Sequence, residues 1–182
     1  LLALELLLRI GGYGLSVSVL SKTEWNGEPA YRDNPHFGRR FWPAKFVREA
    51  PPYIFPAEKP QNGYRIFILG SSAAQGDPEP AYSFSRFLKL LLEHQYPETA
   101  FEVINTSITA SNSHVVLPIA QACAGRDGDL FVVYLGNNEV IGPYGAGSVF
   151  APFSDNTTFI RLKIAMQTTR VGQLLEHTLR HK

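Results

Sequence analysis

Three short segments of the sequence place hydroxyl, carboxamide and small side chains directly after apolar runs. Gly70-Ser71-Ser72 follows "YRIFIL", Asn105 to Ala110 follows "FEVI", and Gly136 to Glu139 follows "LFVVYL". A serine hydroxyl can attack a carbonyl carbon, and amide N–H groups can stabilise the oxyanion that the attack creates. These residue types therefore predict nucleophilic acyl chemistry, provided that the fold brings the three segments together.

The elements around these segments alternate between strand and helix patterns. Residues 64–69, 101–105 and 130–136 are short apolar runs typical of buried strands, and "SFSRFLKLLLEH" and "SHVVLPIAQACAG" predict helices between them. This alternation predicts an α/β fold, a three-layer α/β/α sandwich with a parallel sheet. Ligands of such sheets bind outside the carboxyl ends of the strands, which is where the polar segments lie.

The helix patterns also predict which residues face the core. Ser83 is expected to cap the first helix, Gly125 to end the second, and Pro118 to kink it. From Thr158 onward, apolar residues at helical spacing predict one long final helix. The first helix is expected to bury Phe84, Phe87, Leu88, Leu91 and Leu92.

Residues at the first turn disfavour two kinds of phosphate-binding loop. A Walker loop ends in Gly-Lys-Ser/Thr, but Asp77 follows Gly76. A dinucleotide fingerprint needs glycine at position 72, which is serine, and an acidic residue after the second strand, where Asn105 stands. We therefore expect no nucleotide cofactor, and no other cofactor is predicted.

The motifs resemble those of the SGNH (GDSL-like) hydrolases, a family of serine esterases and acylhydrolases. "ILGSSAAQG" is similar to the first family block, "VINTSITASNS" to the second and "LGNNE" to the third. The resemblance implies Ser72 as nucleophile, the main-chain N–H of Ala110 in the oxyanion hole, and the Asn138 side chain as its second donor. It also implies the flavodoxin-like fold of that family. We expect the same site to include Gly70, Ser71, Gly76, Asn137, Glu139 and His114.

Longer runs, "SHVVLPIA" and "YLGNNEVIGPYG", resemble a membrane-anchored bacterial branch whose members often carry tetratricopeptide repeats.

Three residues depart from the family pattern. Ser71 replaces an aspartate that orients the turn, Ala110 replaces a glycine, and Glu139 replaces an aspartate. An alanine with a positive φ at position 110 would cost about 1 kcal/mol or more.

The general base is the main gap in the resemblance. Family members carry Asp-x-x-His near the end of the domain, and no such motif follows the third block here. We therefore expect an incomplete domain, with the catalytic His and Asp beyond Lys182 and this fragment inactive. None of the histidines is assigned as the base: His36, His94, His114, His177 and His181.

Other interpretations of the same residues stay open. Ser72 could serve only as a helix N-cap, and Asn137 and Asn138 could be turn residues. The site could transfer an acyl group to a carbohydrate rather than to water. The chain could also be a non-catalytic module that binds glycans or a partner. The expected ligand is a small ester or an acylated carbohydrate.

Composition narrows the classes of function. A net charge of +1 and the absence of a strong Lys/Arg cluster before the last residues argue against nucleic-acid binding. The single cysteine, Cys123, excludes an internal disulfide and a cysteine-based metal site, and its apolar surroundings predict a buried core residue. No metal site is predicted.

Three regions are predicted along the chain. Residues 1–20 begin with "LLALELLLRI", which we interpret as the end of a membrane anchor or else as a docked amphipathic helix. The anchor would place the rest of the protein on the periplasmic or extracellular face of the membrane. Glu5 and Arg9 are expected to pair. Residues 21–62, rich in proline and aromatic residues, predict an extended arm. Residues 63–182 would form the N-terminal part of the hydrolase domain.

Overall fold

A computed structural model describes residues 1–148 and 156–180, with the backbone alone at Arg180. It contains two three-stranded sheets and, within these ranges, six α-helices. The strands are β1 (Leu20–Trp25), β2 (Glu28–Asp33), β3 (Ile54–Pro56), β4 (Gly63–Gly70), β5 (Ala100–Asn105) and β6 (Leu130–Tyr134). The helices are α1 (Leu2–Ile10), α2 (Ser72–Gln75), α3 (Phe84–Gln95), α4 (Ser113–Ala124), α5 (Thr157–Gln167) and α6 (Arg170–Arg180).

The second sheet is parallel, and its strand order is β5-β4-β6. Strand β4, the first of these three strands along the chain, is therefore central, with Ile68 paired to Asn105 on one side and to Val132 on the other. All three strands lie where their apolar runs predict them. Burial is confirmed for β4, but it is wrong for β6, an outer strand of this sheet whose Leu130, Val133 and Tyr134 are 42–60% exposed. The carboxyl ends of the strands meet at one edge of the sheet.

Side chains alternate between the two faces of the sheet along β4, and helices pack against both faces. Phe67 and Leu69 belong to a large core cluster that includes α4 residues, whereas Ile66 and Ile68 pack with α3 residues such as Leu88. The molecule is thus a mixed α/β protein with a parallel sheet between helices, as the alternation of strands and helices predicts. Cys123 is fully buried in the larger cluster, as predicted.

Residues 21–62 contain more regular structure than an extended arm. Strands β1, β2 and β3 form an antiparallel sheet, and β1 and β2 are joined by Asn26-Gly27, both with positive φ (53° and 83°). This pair suits the tight turn of a two-residue hairpin. The aromatic residues of the region do anchor it, since they join the main core cluster: Phe37, Phe41, Trp42 and Phe55.

Two helix predictions need correction. Phe84, Leu88 and Leu92 pack against the core, but Phe87 and Leu91 are exposed, so α3 buries a narrower face than expected. The predicted long final helix is two helices, because the chain breaks at Thr168 and Thr169, whose hydroxyls bond the carbonyls of Ala165 and Met166. His181 lies outside the described residues.

The start of α6 is held by α1. The Glu5 carboxylate accepts hydrogen bonds from the main-chain N–H groups of Arg170 and Val171 (both 3.0 Å) and from Arg9 Nε at 2.8 Å. These contacts lower the pKa of Glu5 to about 2. The predicted Glu5–Arg9 pair is confirmed. Across the described part of the chain, no helix has both the length and the apolar character needed to cross a bilayer.

Candidate functional site at the carboxyl ends of the parallel strands

The turn after β4 carries both serines. Ser71 precedes the short helix α2 and is buried, with 1% of its surface exposed, whereas Ser72 is the first residue of α2 and is partly exposed. Ser72 is therefore not the N-cap; Ser71 occupies that position, without a side-chain capping bond. A Cβ at Gly70 would collide with the Tyr134 carbonyl oxygen, so the close approach of β6 requires glycine there.

The turn after β6 contacts the turn after β4 directly. The buried Asn138 donates a hydrogen bond from Nδ2 to Ser71 Oγ over 2.5 Å. The neighbouring Asn137 is exposed, although it has the same side chain. Since a carboxamide nitrogen carries two N–H groups, the bond to Ser71 leaves the second N–H for another acceptor. The carboxamide therefore lies beside the serine-bearing turn.

The segment after β5 completes the group. Thr106 donates from Oγ1 to the Ile68 carbonyl (2.8 Å), and Thr109 donates from its main chain and its hydroxyl to Gln75 Oε1. Ala110 follows with φ of 62°, in the left-handed region that favours glycine. Ala110 thus adopts the positive φ that is unfavourable for alanine.

The end of α2 explains one of the predicted glycines. Gly76 has φ of 91° and forms the left-handed C-cap of α2. A Cβ at this position would also press on the Ser83 backbone. Gly76 is thus required by the shape of the turn that presents Ser72.

Glu139 binds the start of α4 rather than being free. Its two carboxylate oxygens accept hydrogen bonds from the main-chain N–H and the hydroxyl of Ser113, at 2.9 and 2.8 Å. A carboxylate at a helix N-terminus is stabilising because the helix dipole is positive there. Glu139 therefore links the turn after β6 to the segment after β5.

His114 lies one residue further along α4 and is half-buried. Its ring stands edge-on to Tyr144, with ring centroids 6.1 Å apart. Burial lowers the pKa of His114, Arg161 also lowers it, and Glu139 opposes both. This histidine is therefore held in its neutral form more readily than a free histidine.

Several polar residues that the sequence analysis did not single out belong to this region. Gln75 receives the bonds from Thr109, and Asn112 is fully buried and donates from Nδ2 to the Pro143 carbonyl (2.8 Å). Among the described residues, Asn112 Oδ1 and the hydroxyls of Ser107 and Ser111 are buried without a hydrogen-bond partner. Asn112 precedes a helix, a position where asparagine usually signals only a cap.

The Asp-x-x-His spacing does occur once, at Asp33 and His36, before the first block. Asp33 is buried, and its Oδ1 accepts a hydrogen bond from the main-chain N–H of Tyr53 (3.3 Å). His36 precedes a short 3-10 helix, and in the described chain no hydrogen bond joins its side chain to Ser71 or Ser72. These contacts assign the pair no catalytic role.

A cavity of about 480 Å³ lies elsewhere, between residues 13–17, Trp42 and α6, and none of the predicted site residues lines it. At the strand ends, Asn138 contacts Ser71, the residue before Ser72, and Thr109, the residue before Ala110, contacts Gln75 of α2. Comparisons of the chain with models of protein families, with curated proteins and with solved structures found no match. Its function must therefore be inferred from the residues and their geometry.

Proposed function

We propose that the protein is a serine esterase or acylhydrolase of the SGNH type. The observation that carries the proposal is the hydrogen bond from Asn138 to Ser71, which joins the third motif to the first across β6 and β4. The central position of β4, with β5 and β6 on either side, supports the flavodoxin-like strand order. The proposed substrate is a small ester or an acylated carbohydrate.

In the proposed reaction, Ser72 Oγ attacks the ester carbonyl carbon while a base removes the hydroxyl proton. The carbonyl oxygen becomes an oxyanion, which accepts hydrogen bonds from the N–H groups of Ser72 and Ala110 and from Asn138 Nδ2. The C–O bond to the alcohol then breaks, and the alcohol leaves with the proton. Water attacks the acyl-serine by the same route and releases the acid.

Exposure favours Ser72 over Ser71 as the nucleophile. A substrate carbonyl must reach the attacking oxygen, and Ser71 is 1% exposed whereas Ser72 is partly exposed. The Ser71 hydroxyl also already accepts the bond from Asn138. In this proposal Ser71 is a positioning residue, which holds the carboxamide for the oxyanion.

The test is turnover of short-chain nitrophenyl esters by the protein with its natural termini. Ser72→Ala should abolish turnover, whereas Ser71→Ala, the matched control, should keep a reduced rate because the nucleophile remains. Wild-type turnover in Ser72→Ala would refute the assignment. Product analysis with a sugar acceptor would separate hydrolysis from acyl transfer, which uses the same residues.

The base can be sought with the same assay. The contacts of His36 and His114 assign neither as the base, so His36→Ala and His114→Ala should each leave turnover within about ten-fold of wild type, well short of the loss that removal of a triad member causes. A loss by either variant as complete as that of Ser72→Ala would assign the base to that histidine. Absence of ester turnover by the folded protein would favour a binding module.

A further inference from the structure

Three arginines from separate segments surround a small cavity of about 190 Å³. Arg9 comes from α1, Arg40 from the turn after β2, and Arg170 from the start of α6. We call this the arginine pocket; its polar lining consists of Arg9, Arg40, Arg170, Ser16, Ser18 and Thr168. The cavity is smaller than the sites of drug-sized ligands, which measure about 300–1,000 Å³, and suits a small charged group.

Two of these arginines lack partners for buried nitrogens. Nε of Arg40 and both Nε and Nη1 of Arg170 are buried and have no hydrogen-bond partner in the part of the chain that the structure describes. Burying a guanidinium without an acceptor is costly, and an anion would offset that cost. Burial also lowers the pKa of Arg40, as expected for a cation without a counter-ion.

The structure holds the Arg40 guanidinium and the Arg170 main chain in place. The Arg40 guanidinium lies over the rings of Phe37 and Phe41, at 5.5 and 5.6 Å from their centroids. The main-chain N–H of Arg170 is fixed by Glu5 at 3.0 Å. Both arginines line the same cavity, and a planar guanidinium matches the oxygens of a phosphate, which arginine binds through two parallel bonds.

The charge balance of the pocket also favours an anion. Glu5 contacts the arginine pocket through its ion pair with Arg9 at 2.8 Å, and Glu176 borders a separate cavity that Arg40 also lines. Within the described ranges, neither Arg40 nor Arg170 forms an ion pair with a carboxylate. Two cationic side chains therefore line the cavity together with three hydroxyls, of which those of Ser18 and Thr168 already donate to main-chain carbonyls.

The surface beside the pocket indicates the source of the anion. Helix α1 buries none of its residues, and Leu2, Leu6, Leu7 and Ile10 are 59–88% exposed. An exposed apolar helix face next to arginines is the pattern of a segment that lies in a membrane interface. We propose that the arginine pocket binds the phosphate group of a membrane phospholipid, with the leucines of α1 in the adjoining acyl region.

Vesicle binding tests the proposal directly. The chain should sediment with phosphatidylcholine vesicles that contain phosphatidylglycerol, and added salt should weaken the binding. Arg40→Gln and Arg170→Gln should each lower the partition coefficient by about five-fold or more. Arg86→Gln, which removes an equal charge from the exposed surface of α3, should change it by less than about two-fold. Equal binding by wild type and both pocket variants, or no binding by wild type, would overturn the proposal.

Thermal unfolding distinguishes a lipid from a free phosphate ester and checks the folding of each variant. Inorganic phosphate should raise the Tm of wild type but not of Arg40→Gln. A double variant, Leu6→Gln with Leu7→Gln, should lose vesicle binding and keep the phosphate-dependent rise in Tm. If that double variant bound vesicles like wild type, the pocket would serve a soluble phosphate and the lipid assignment would be wrong.

Discussion

The two ends of the parallel sheet differ in their buried polar residues, although an unpartnered buried atom, Arg126 Nε, also lies at the amino end of the described sheet. At the amino end, Arg65 is fully buried, and all three guanidinium nitrogens donate, to Glu102 Oε2 and to the carbonyls of Arg126 and Pro56 (2.8–2.9 Å). At the carboxyl end, Asn112 Oδ1 is buried without a hydrogen-bond partner in the described chain. Ala110, at the same end, has a left-handed backbone conformation.

We interpret the amino end of the sheet as the part that stabilises the fold and the carboxyl end as the part that binds the ligand. A buried ion pair whose hydrogen bonds are made fixes the register of β4 against β5, where Arg65 pairs with Glu102. Strain and unpaired polar atoms tend to gather where a ligand binds, since the rest of the fold must support them. Four substitutions would break or sharpen this contrast.

The largest effect is expected at the amino end. Glu102→Leu would leave the buried Arg65 charge without its carboxylate and should lower the free energy of unfolding by about 3–5 kcal/mol. Urea denaturation followed by circular dichroism measures the change. The double variant Arg65→Met with Glu102→Leu is the control and should recover most of the loss. A single variant as stable as wild type would show that the pair does not hold this end of the sheet.

The next effect is on activity rather than stability. Asn138→Ala removes a proposed oxyanion donor and should lower kcat for ester hydrolysis by about 100-fold, while esterase activity remains detectable. Asn137→Ala, at the exposed neighbour, should keep nearly the full rate. Equal rates for the two variants would exclude Asn138 from the oxyanion hole.

A smaller change should stabilise the carboxyl end. Ala110→Gly relieves the cost of φ at 62° and should raise the free energy of unfolding by up to about 1 kcal/mol. Ala120→Gly, in the middle of α4, should instead destabilise by about 1 kcal/mol, because glycine is a poor helix former. Destabilisation by both substitutions would contradict the strain assigned to Ala110.

The smallest effect concerns pH at the amino end. Hydrogen bonds from Lys59 Nζ (2.7 Å) and from the main-chain N–H of Arg65 lower the pKa of Asp129. A lowered pKa in the folded state means that this stabilisation is present above the ordinary aspartate pKa and is lost as the pH falls through the folded-state value. Asp129→Asn should therefore flatten the acid limb of a stability–pH curve, and an unchanged limb would refute the linkage.

The sequence was sufficient for the central sheet and for the grouping of polar residues at its edge. The largely apolar runs in 64–69, 101–105 and 130–136 predicted the three parallel strands, but the exposure of β6 did not follow from its sequence. The Asn26-Gly27 pair between residues 20–25 and 28–33 was the signal that could have predicted the β1–β2 hairpin. The start of α6 was less predictable, because the main-chain N–H of Arg170 donates to Glu5, 165 residues away.

Contacts between distant residues were beyond the reach of the sequence for the same reason. Spacing predicts that Ser71 and Asn138 end neighbouring strands, but not that they bond each other, 67 residues apart. The width of the buried face of α3 likewise depends on the β4 residues that pack against it, Ile66 and Ile68. The periodicity of the α3 sequence carries no information about those residues. Residue types and strand ends could be predicted, whereas register and partners required coordinates.

The most direct measurement of the central claim is peptide mapping of the protein, with its natural termini, after reaction with a fluorophosphonate probe. Such a probe forms a covalent bond only with an activated nucleophile and leaves an oxygen where the oxyanion would lie. We predict a single phosphonylated residue, Ser72, and much slower labelling in Asn138→Ala. An adduct on Ser71 or on another serine, or labelling that Asn138→Ala leaves unchanged, would contradict the account.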